Sequence, residues 1–179
     1  MAERSRAINP GATLSGTAQP YISGPRLREA CRTDRADLVD LWVAAWRTAM
    51  PDIDFDGRRV WFDRHLDALE GAGARILVAE AVGMPAGFVS VDPGRRYLDQ
   101  LAVHPDQQGS GIASLLIKAA KALSPPGLVL DVNRDNPRAR RLYSRHGFVE
   151  LSAGRNPSSG LPTLRLAWPG TGRDLDRPR

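Results

Sequence analysis

The spacing of apolar residues changes along this chain. Leu38, Leu41, Trp42, Ala45 and Trp46 recur three and four apart behind the capping residues Thr33 and Asp34 and an early acid, Asp37. That pattern predicts a helix, which Pro51 ends. A second helix is expected from about 56 to 69, closed by Gly71 and Gly73, and a short strand over 27–31 precedes both. From residue 75 the period shortens. RILVAE (75–80) and AGFVSV (86–91), joined by turn residues 82–85, read as a hairpin, and YLDQLAV (97–103) as the next strand. Ile112, Leu115, Leu116 and Ala119 predict a helix over about 111–123 that Ser124, Pro125, Pro126 and Gly127 stop. LVLDV (128–132) is a short apolar strand, Asn136 and Pro137 open a helix ending near His146 and Gly147, and 148–151 and 161–168 read as a last pair of strands. The order β-α-α-β-β-β-α-β-α-β-β combines hairpins with a crossover helix. It predicts an α/β fold with a mixed sheet and helices on its faces.

The 179 residues suit one domain, expected over 25–168. Residues 1–24 are rich in Gly, Ser, Ala, Pro and Thr without apolar periodicity, and 169–179 are similar, so both are expected to be disordered. No stretch approaches the roughly 20 apolar residues of a membrane span, and the N-terminus has no apolar run of secretory type, so no membrane partner and a cytoplasmic location are expected. Cys31, the single cysteine, excludes an internal disulfide and a Cys-based metal cluster, and reads as a small buried hydrophobe. His65, His104 and His146 are scattered, with no metal-ligand pair, so no metal is expected. The net charge of +5 is too small to imply nucleic-acid binding. Its placement is more telling: Arg134, Arg138, Arg140, Arg141 and Arg145 face one acid, Asp135, within twelve residues. Such a segment sits near an anion or forms a solvated helix face.

The segment richest in chemistry is 98–118. A strand runs into Gln108-Gly109-Ser110-Gly111-Ile112-Ala113, which opens a helix. Free amides and the positive dipole end favour phosphate there, and Gly109 and Gly111 remove side chains that would obstruct a pyrophosphate. A Walker A loop, G-x-x-x-x-G-K-[ST], is absent. The dinucleotide fingerprint fails because Ser114 stands where its third glycine belongs and the strand before the loop follows a hairpin.

Gln108-x-x-Gly111-x-Ala113, preceded by Leu101-x-Val103-x-Pro105, resembles the pyrophosphate loop of the GNAT superfamily of N-acetyltransferases. Asn136-x-x-Ala139-x-x-x-Tyr143-x-x-x-Gly147-Phe148 is similar to that family's following helix and strand, in the same order and separation. The resemblance spans about 27–168 and is weakest in the first two helices. It implies a mostly antiparallel sheet splayed at an acyl-CoA site, with acetyl-CoA as acyl donor and no metal. The amides of 108–113 would hold the pyrophosphate. The strand segment Leu101, Ala102 and Val103 would pair with pantetheine, and an amide near Leu101 would polarise the thioester carbonyl. Asn136 and Ala139 would contact pantetheine or order its loop, the Arg segment would lie near the 3′-phosphate, and Tyr143 would protonate the departing thiolate. Gln108 and Ser110 are neutral where the family often has basic residues.

An alkylammonium, with a pKa of roughly 10, must lose a proton before it can attack. Asp99, on the strand before the loop, is the first candidate base and Glu80 the second. Trp42 and Trp46 read as core or as a pocket wall. Asp52, Asp54 and Asp56 read as a solvated loop or an attractor of cations. The expected acceptor is a small-molecule amine or a protein N-terminus, and the expected assembly a monomer or homodimer. A non-catalytic acyl-CoA-binding module is the alternative; a nucleic-acid-binding domain has only the Arg segment in its favour.

Overall fold

A computed structural model describes residues 24–157 and 159–171. The predicted element order is observed: β1 (Arg26–Glu29), α1 (Arg35–Ala49), α2 (Arg59–Gly71), β2 (Arg75–Ala81), β3 (Met84–Asp92), β4 (Tyr97–Val103), α3 (Ile112–Leu123), β5 (Leu128–Asn133), α4 (Pro137–Arg145), β6 (Val149–Arg155) and β7 (Pro162–Trp168). The first 23 residues and 172–179, which hold most of the two segments expected to be disordered, lie outside the described residues. Short 3-10 turns precede α1 and α2.

The strands form one seven-stranded sheet in the order β1-β2-β3-β4-β5-β7-β6. Every neighbouring pair is antiparallel except β4 with β5, which α3 joins as a crossover. Alternation along the strands feeds two cores, one on each face. Ile76, Val78, Phe88 and Ala102 pack under α1 and α2 with Leu38, Trp42, Phe62 and Leu66. Ala79, Val89, Val91 and Leu98 pack under α3 and α4 with Ile112, Leu116, Tyr143 and Phe148. Gly87 lets α3 lie close on the sheet: a Cβ there would stand 2.9 Å from the Ala102 carbonyl oxygen and 2.9 Å from Ile112 Cγ2.

Two readings are corrected. Cys31 is exposed; it belongs to the 3-10 turn before α1, whose amide and thiol both donate to Asp34 Oδ2, at 2.7 and 3.1 Å. Glu80 accepts from Arg28 Nε at 2.8 Å in the ion cluster that also holds Asp34, so it is a tie between β1 and β2. Arg28 grips the buried Asp34 with both terminal nitrogens, at 2.6 and 2.8 Å. Those bonds outweigh burial and hold the Asp34 carboxyl well below the usual range.

A group whose pKa is depressed on folding adds stability above its unfolded pKa, about 4, and loses it as pH falls through the folded value. Asp34→Asn is therefore expected to lower stability by roughly 2 kcal/mol at pH 7. The gap to wild type should close progressively below about pH 4, as urea titrations at each pH would show. The two-residue turn between β2 and β3 gives a second expectation. Val82 and Gly83 have φ of 53° and 77°, the signs of a type I′ turn, which favours Asn-Gly and strains a β-branched residue. Val82→Asn should raise stability by about 1 kcal/mol, measured by thermal unfolding.

Candidate functional site

Between β4 and β5 the ladder holds one residue pair, Tyr97 with Val129. Past it the two strands line opposite walls of a cleft of about 1600 Å³. The direction of β4's unpaired groups follows from its register with β3. His104 donates its amide to Ala86 at 2.9 Å, and Phe88 pairs with Ala102. Hydrogen bonding alternates along an antiparallel ladder, so the amide and carbonyl of Ala102 face β3 while those of Leu101 and Val103 face the cleft. All three residues border it.

Both parallel strands run toward the open end, and each is followed by a helix. After β4 come Gly109 and Gly111, with φ of 92° and 91°, then the first turn of α3. No atom lies within 4 Å of a Cβ built on either glycine. The first amides of α3 have no carbonyl one turn back, so a concave cluster of donors stands at the positive end of the helix. Gln108, Gly109, Gly111 and Ala113 line the cleft. Of the other predicted loop residues, the Ser110 hydroxyl donates to the Gln107 carbonyl at 2.6 Å and Ile112 is buried in the core. After β5, Asn136 caps α4 by accepting from the Ala139 amide at 3.0 Å. Arg138 donates to the Gln108 side chain, joining the two helix starts, and Asn136, Arg138 and Ala139 border the cleft.

Tyr143, one turn after Ala139 on α4, packs edge-on against Phe148 at 5.5 Å between ring centres and is 7% exposed. It also borders the cleft. Among the described residues no buried side-chain oxygen or nitrogen lacks a partner and this phenol makes no hydrogen bond, so its oxygen is open to the cleft. Burial pushes the phenol's pKa up. The group is therefore neutral and able to donate at any physiological pH.

Asp99 sits where β4 departs from regular pairing. Val91 pairs with Leu98 and Ser90 with Gln100, so Asp99 is the extra residue of a β-bulge. The bulge turns two consecutive side chains toward α1 and α2. Gln100 Oε1 accepts from Trp42 Nε1 at 2.9 Å, and Asp99 Oδ1 accepts from Gln100 Nε2 at 2.9 Å. Asp99 Oδ1 also lies 2.7 Å from His65 Nε2. Burial pushes the Asp99 carboxyl up, but the bonds from His65 and Gln100 prevail and its pKa is lowered overall. Trp46, Trp61, Met50 and Ile53 form an apolar wall on this side, with Trp61 stacked on His65 at 5.0 Å.

Two functional elements escape sequence reasoning. His65 meets Asp99 only because the bulge aims the carboxylate at α2; its one local sign is Trp61 four residues earlier on the same helix face. Tyr97 donates to Asp131 at 2.9 Å, and Arg165 bonds the same carboxylate at 3.0 and 3.2 Å. That cluster ties β4, β5 and β7 together at the point where the gap begins. His104 caps its loop by accepting from the Asp106 amide at 3.3 Å. Asp54 accepts from the Gly57 amide at 3.0 Å and Asp56 pairs with Arg47 and Arg59, so this acidic loop is bound locally. Among the described residues there is no group of three or more His, Cys, Asp and Glu able to hold a metal, and no helix long and apolar enough to cross a membrane.

A family model described as an acetyltransferase (GNAT) domain matches residues 72–150. The chain is 29% identical over 143 residues to the peptidyl-lysine N-acetyltransferase YiaC of Escherichia coli, an alignment covering 80% of this chain and 96% of that one. Among solved structures, a GCN5-related N-acetyltransferase from Rhodopseudomonas palustris superposes with a TM-score of 0.66 at 25% identity, covering 83% of this chain and 98% of the other. The yncA acetyltransferase of Salmonella typhimurium, solved with its cofactor acetyl-CoA, superposes with a TM-score of 0.61 at 22% identity, covering 88% and 97%.

Proposed function

We propose that this chain, which belongs to the GNAT superfamily and is an acetyl-CoA-dependent acyltransferase, moves acetyl to a primary amine by direct attack, with donor and acceptor bound together. The observation that carries this reading is the interrupted ladder between β4 and β5 beside two helix N-termini. A polyamide arm fits the free amides and carbonyls of Leu101 and Val103 as an added strand would. The donor cluster of the 108–113 loop fits a pyrophosphate, and the Arg segment of α4 supplies countercharge for a further phosphate.

Acetyl-CoA brings a thioester, which supplies an activated acyl carbon and a good leaving group. The chain's own residues do the rest. An amide at Leu101 donates to the carbonyl oxygen as negative charge grows there, an effect worth about 3 kcal/mol. Tyr143 donates from its neutral phenol to the departing sulfur. Its raised pKa makes complete proton transfer to a thiolate, with a pKa of about 8.5, unfavourable, so its contribution is a hydrogen bond that strengthens as the sulfur gains charge. Asp99, on the opposite face of the sheet, is the carboxylate on which loss of the amine's proton depends. The acceptor enters along the wall of Trp46, Trp61, Met50 and Ile53 and is a small-molecule amine or an amine of a protein. The lysine acceptor named for the E. coli relative is in that class.

Calorimetric titration with acetyl-CoA, against ATP and NAD as controls, is expected to show selective micromolar binding. Gly111→Ala should cost about 1 kcal/mol of stability from its left-handed backbone while weakening acetyl-CoA binding at least tenfold. Binding unchanged by this substitution would remove the loop from the site. Tyr143→Phe should leave acetyl-CoA affinity intact and lower kcat about a hundredfold with any amine identified by thiol release. Binding without thiol release across a broad amine panel would point instead to a non-catalytic acyl-CoA-binding module.

A further inference from the structure

On the reading that the cleft transfers acetyl to an amine, we infer that the amine's proton is taken by His65 through Nδ1, and that Asp99 acts as the positioning residue that holds the imidazole for this task. His65 lies on α2 and borders the same cleft as Leu101 and Tyr143. Its Nε2 is 2.7 Å from Asp99 Oδ1, with the two side chains 26% and 22% exposed. Asp99 is ionised, because its pKa sits below the ordinary carboxylate value. An ionised carboxylate only accepts, so Nε2 carries the hydrogen, and the tautomer this bond selects has its lone pair at Nδ1. Nδ1 has no hydrogen bond among the described residues, where no buried side-chain nitrogen lacks a partner, so it is open to solvent.

The ring is fixed from two further directions. Trp61 stacks on it at 5.0 Å with 9° between the planes. Asp99 is held in turn by Gln100, and Gln100 by the buried Trp42. The chain Trp42–Gln100–Asp99–His65 thus runs from the core to the cleft. Asp99 spends one oxygen, Oδ1, on both Gln100 and His65, and at the cleft end of the chain the imidazole presents Nδ1, the atom a base needs.

Among the described residues, Asp99 is the charged group paired with His65. α1 brings Trp42 and Trp46 to this side, while its Arg35 is paired with Asp63, Asp67 and Glu70 and its Asp40 with Arg59. β2 packs Ile76 and Val78 into the same core. On α2 and the turn before it, Arg58 lies over the Phe55 ring, Asp56 is paired, and Arg64 is exposed. β4 adds Tyr97, whose hydroxyl is bonded to Asp131, and Asp131 is also paired with Arg165.

The step balances with no further reactant. The amine nitrogen forms the bond to the acyl carbon, the carbon–sulfur bond breaks with its electron pair on sulfur, and one N–H proton passes to Nδ1. An imidazole is a weak base toward a free alkylammonium, so the transfer occurs as the nitrogen bonds to carbon and its acidity rises steeply. The imidazolium so formed is stabilised by the Asp99 carboxylate and returns its proton to solvent.

The test joins kinetics to a readout independent of turnover. The pH dependence of kcat/KM is measured for wild type, His65→Gln and Asp99→Asn, and the His65 ring is titrated by NMR in the free protein, where only three histidines contribute signals. Wild type should show an acid limb at the pH where His65 titrates. Both should move together to lower pH in Asp99→Asn, since removing an anion disfavours the imidazolium. His65→Gln should lose that limb and about a hundredfold in kcat, with acetyl-CoA affinity by calorimetry unchanged. An acid limb that persists in a folded His65→Gln, or a kinetic limb and a ring titration that differ by more than one pH unit, overturns the assignment while leaving acetyl transfer in place. A wild type that binds acetyl-CoA and acetylates no amine removes the functional reading, and this proposal with it.

Discussion

The site depends on a sheet that fails to close at one seam. Six strand pairings, including the lone contact of β4 with β5, make a continuous layer, and only at that seam does pairing stop after a single residue pair. The seam is also the only parallel one, and this makes it useful. Parallel neighbours point their carboxyl ends the same way, and here each is followed by a helix: α3 after β4 and α4 after β5. Two helix N-termini, with their unpaired amides and positive dipole ends, therefore converge on the seam inside the sheet where strand backbone is left without a partner. On the proposed reading, the surfaces for the pyrophosphate and for the polyamide arm arise side by side from topology, before any side chain is considered.

Side chains hold the gap at its chosen depth. Asp131 receives Tyr97 from β4 and Arg165 from β7, fixing β5 against both neighbours where the last pair forms. At the far end Arg138 reaches Gln108 across the mouth. The link at the closed end holds β4 and β5 together where their pairing stops. Without one at the mouth, the two helix starts would lack a common frame. α3 keeps its place because Gly87 admits it to van der Waals contact with the sheet.

The order of elements and most of their limits were legible because apolar period and turn residues are local signals: β4 was read over 97–103 and is found there. The family resemblance was legible in Gln108, Gly111, Asn136 and Tyr143, since a loop and a cap are written in consecutive letters. The bulge at Asp99 was not. It depends on how β4 registers against β3, and nothing in YLDQLAV shows that Leu98 and Leu101 will share a face although they stand three positions apart. His65 was hidden for the same reason: its partner is 34 residues away and is aimed at it by that irregularity. Cys31 was misread as buried because the strand preceding it was taken two residues too long.

The bulge and the seam together bear on why a transfer enzyme would use this geometry. A paired sheet separates its two faces completely. Here Tyr143 belongs to the core on the α3 and α4 side, whereas Asp99, His65 and the tryptophans belong to the α1 and α2 side. Under the proposed mechanism the leaving sulfur needs a donor and the attacking nitrogen needs an acceptor for its proton, and the two must approach one carbon from different directions. An unpaired seam is the one opening through which groups on opposite faces reach the same atom. The bulge places the carboxylate beside that opening instead of beneath α3, where regular alternation with Leu101 and Val103 would put it. Pairing β4 to β5 would strengthen the sheet, but it would also part the two halves of the chemistry.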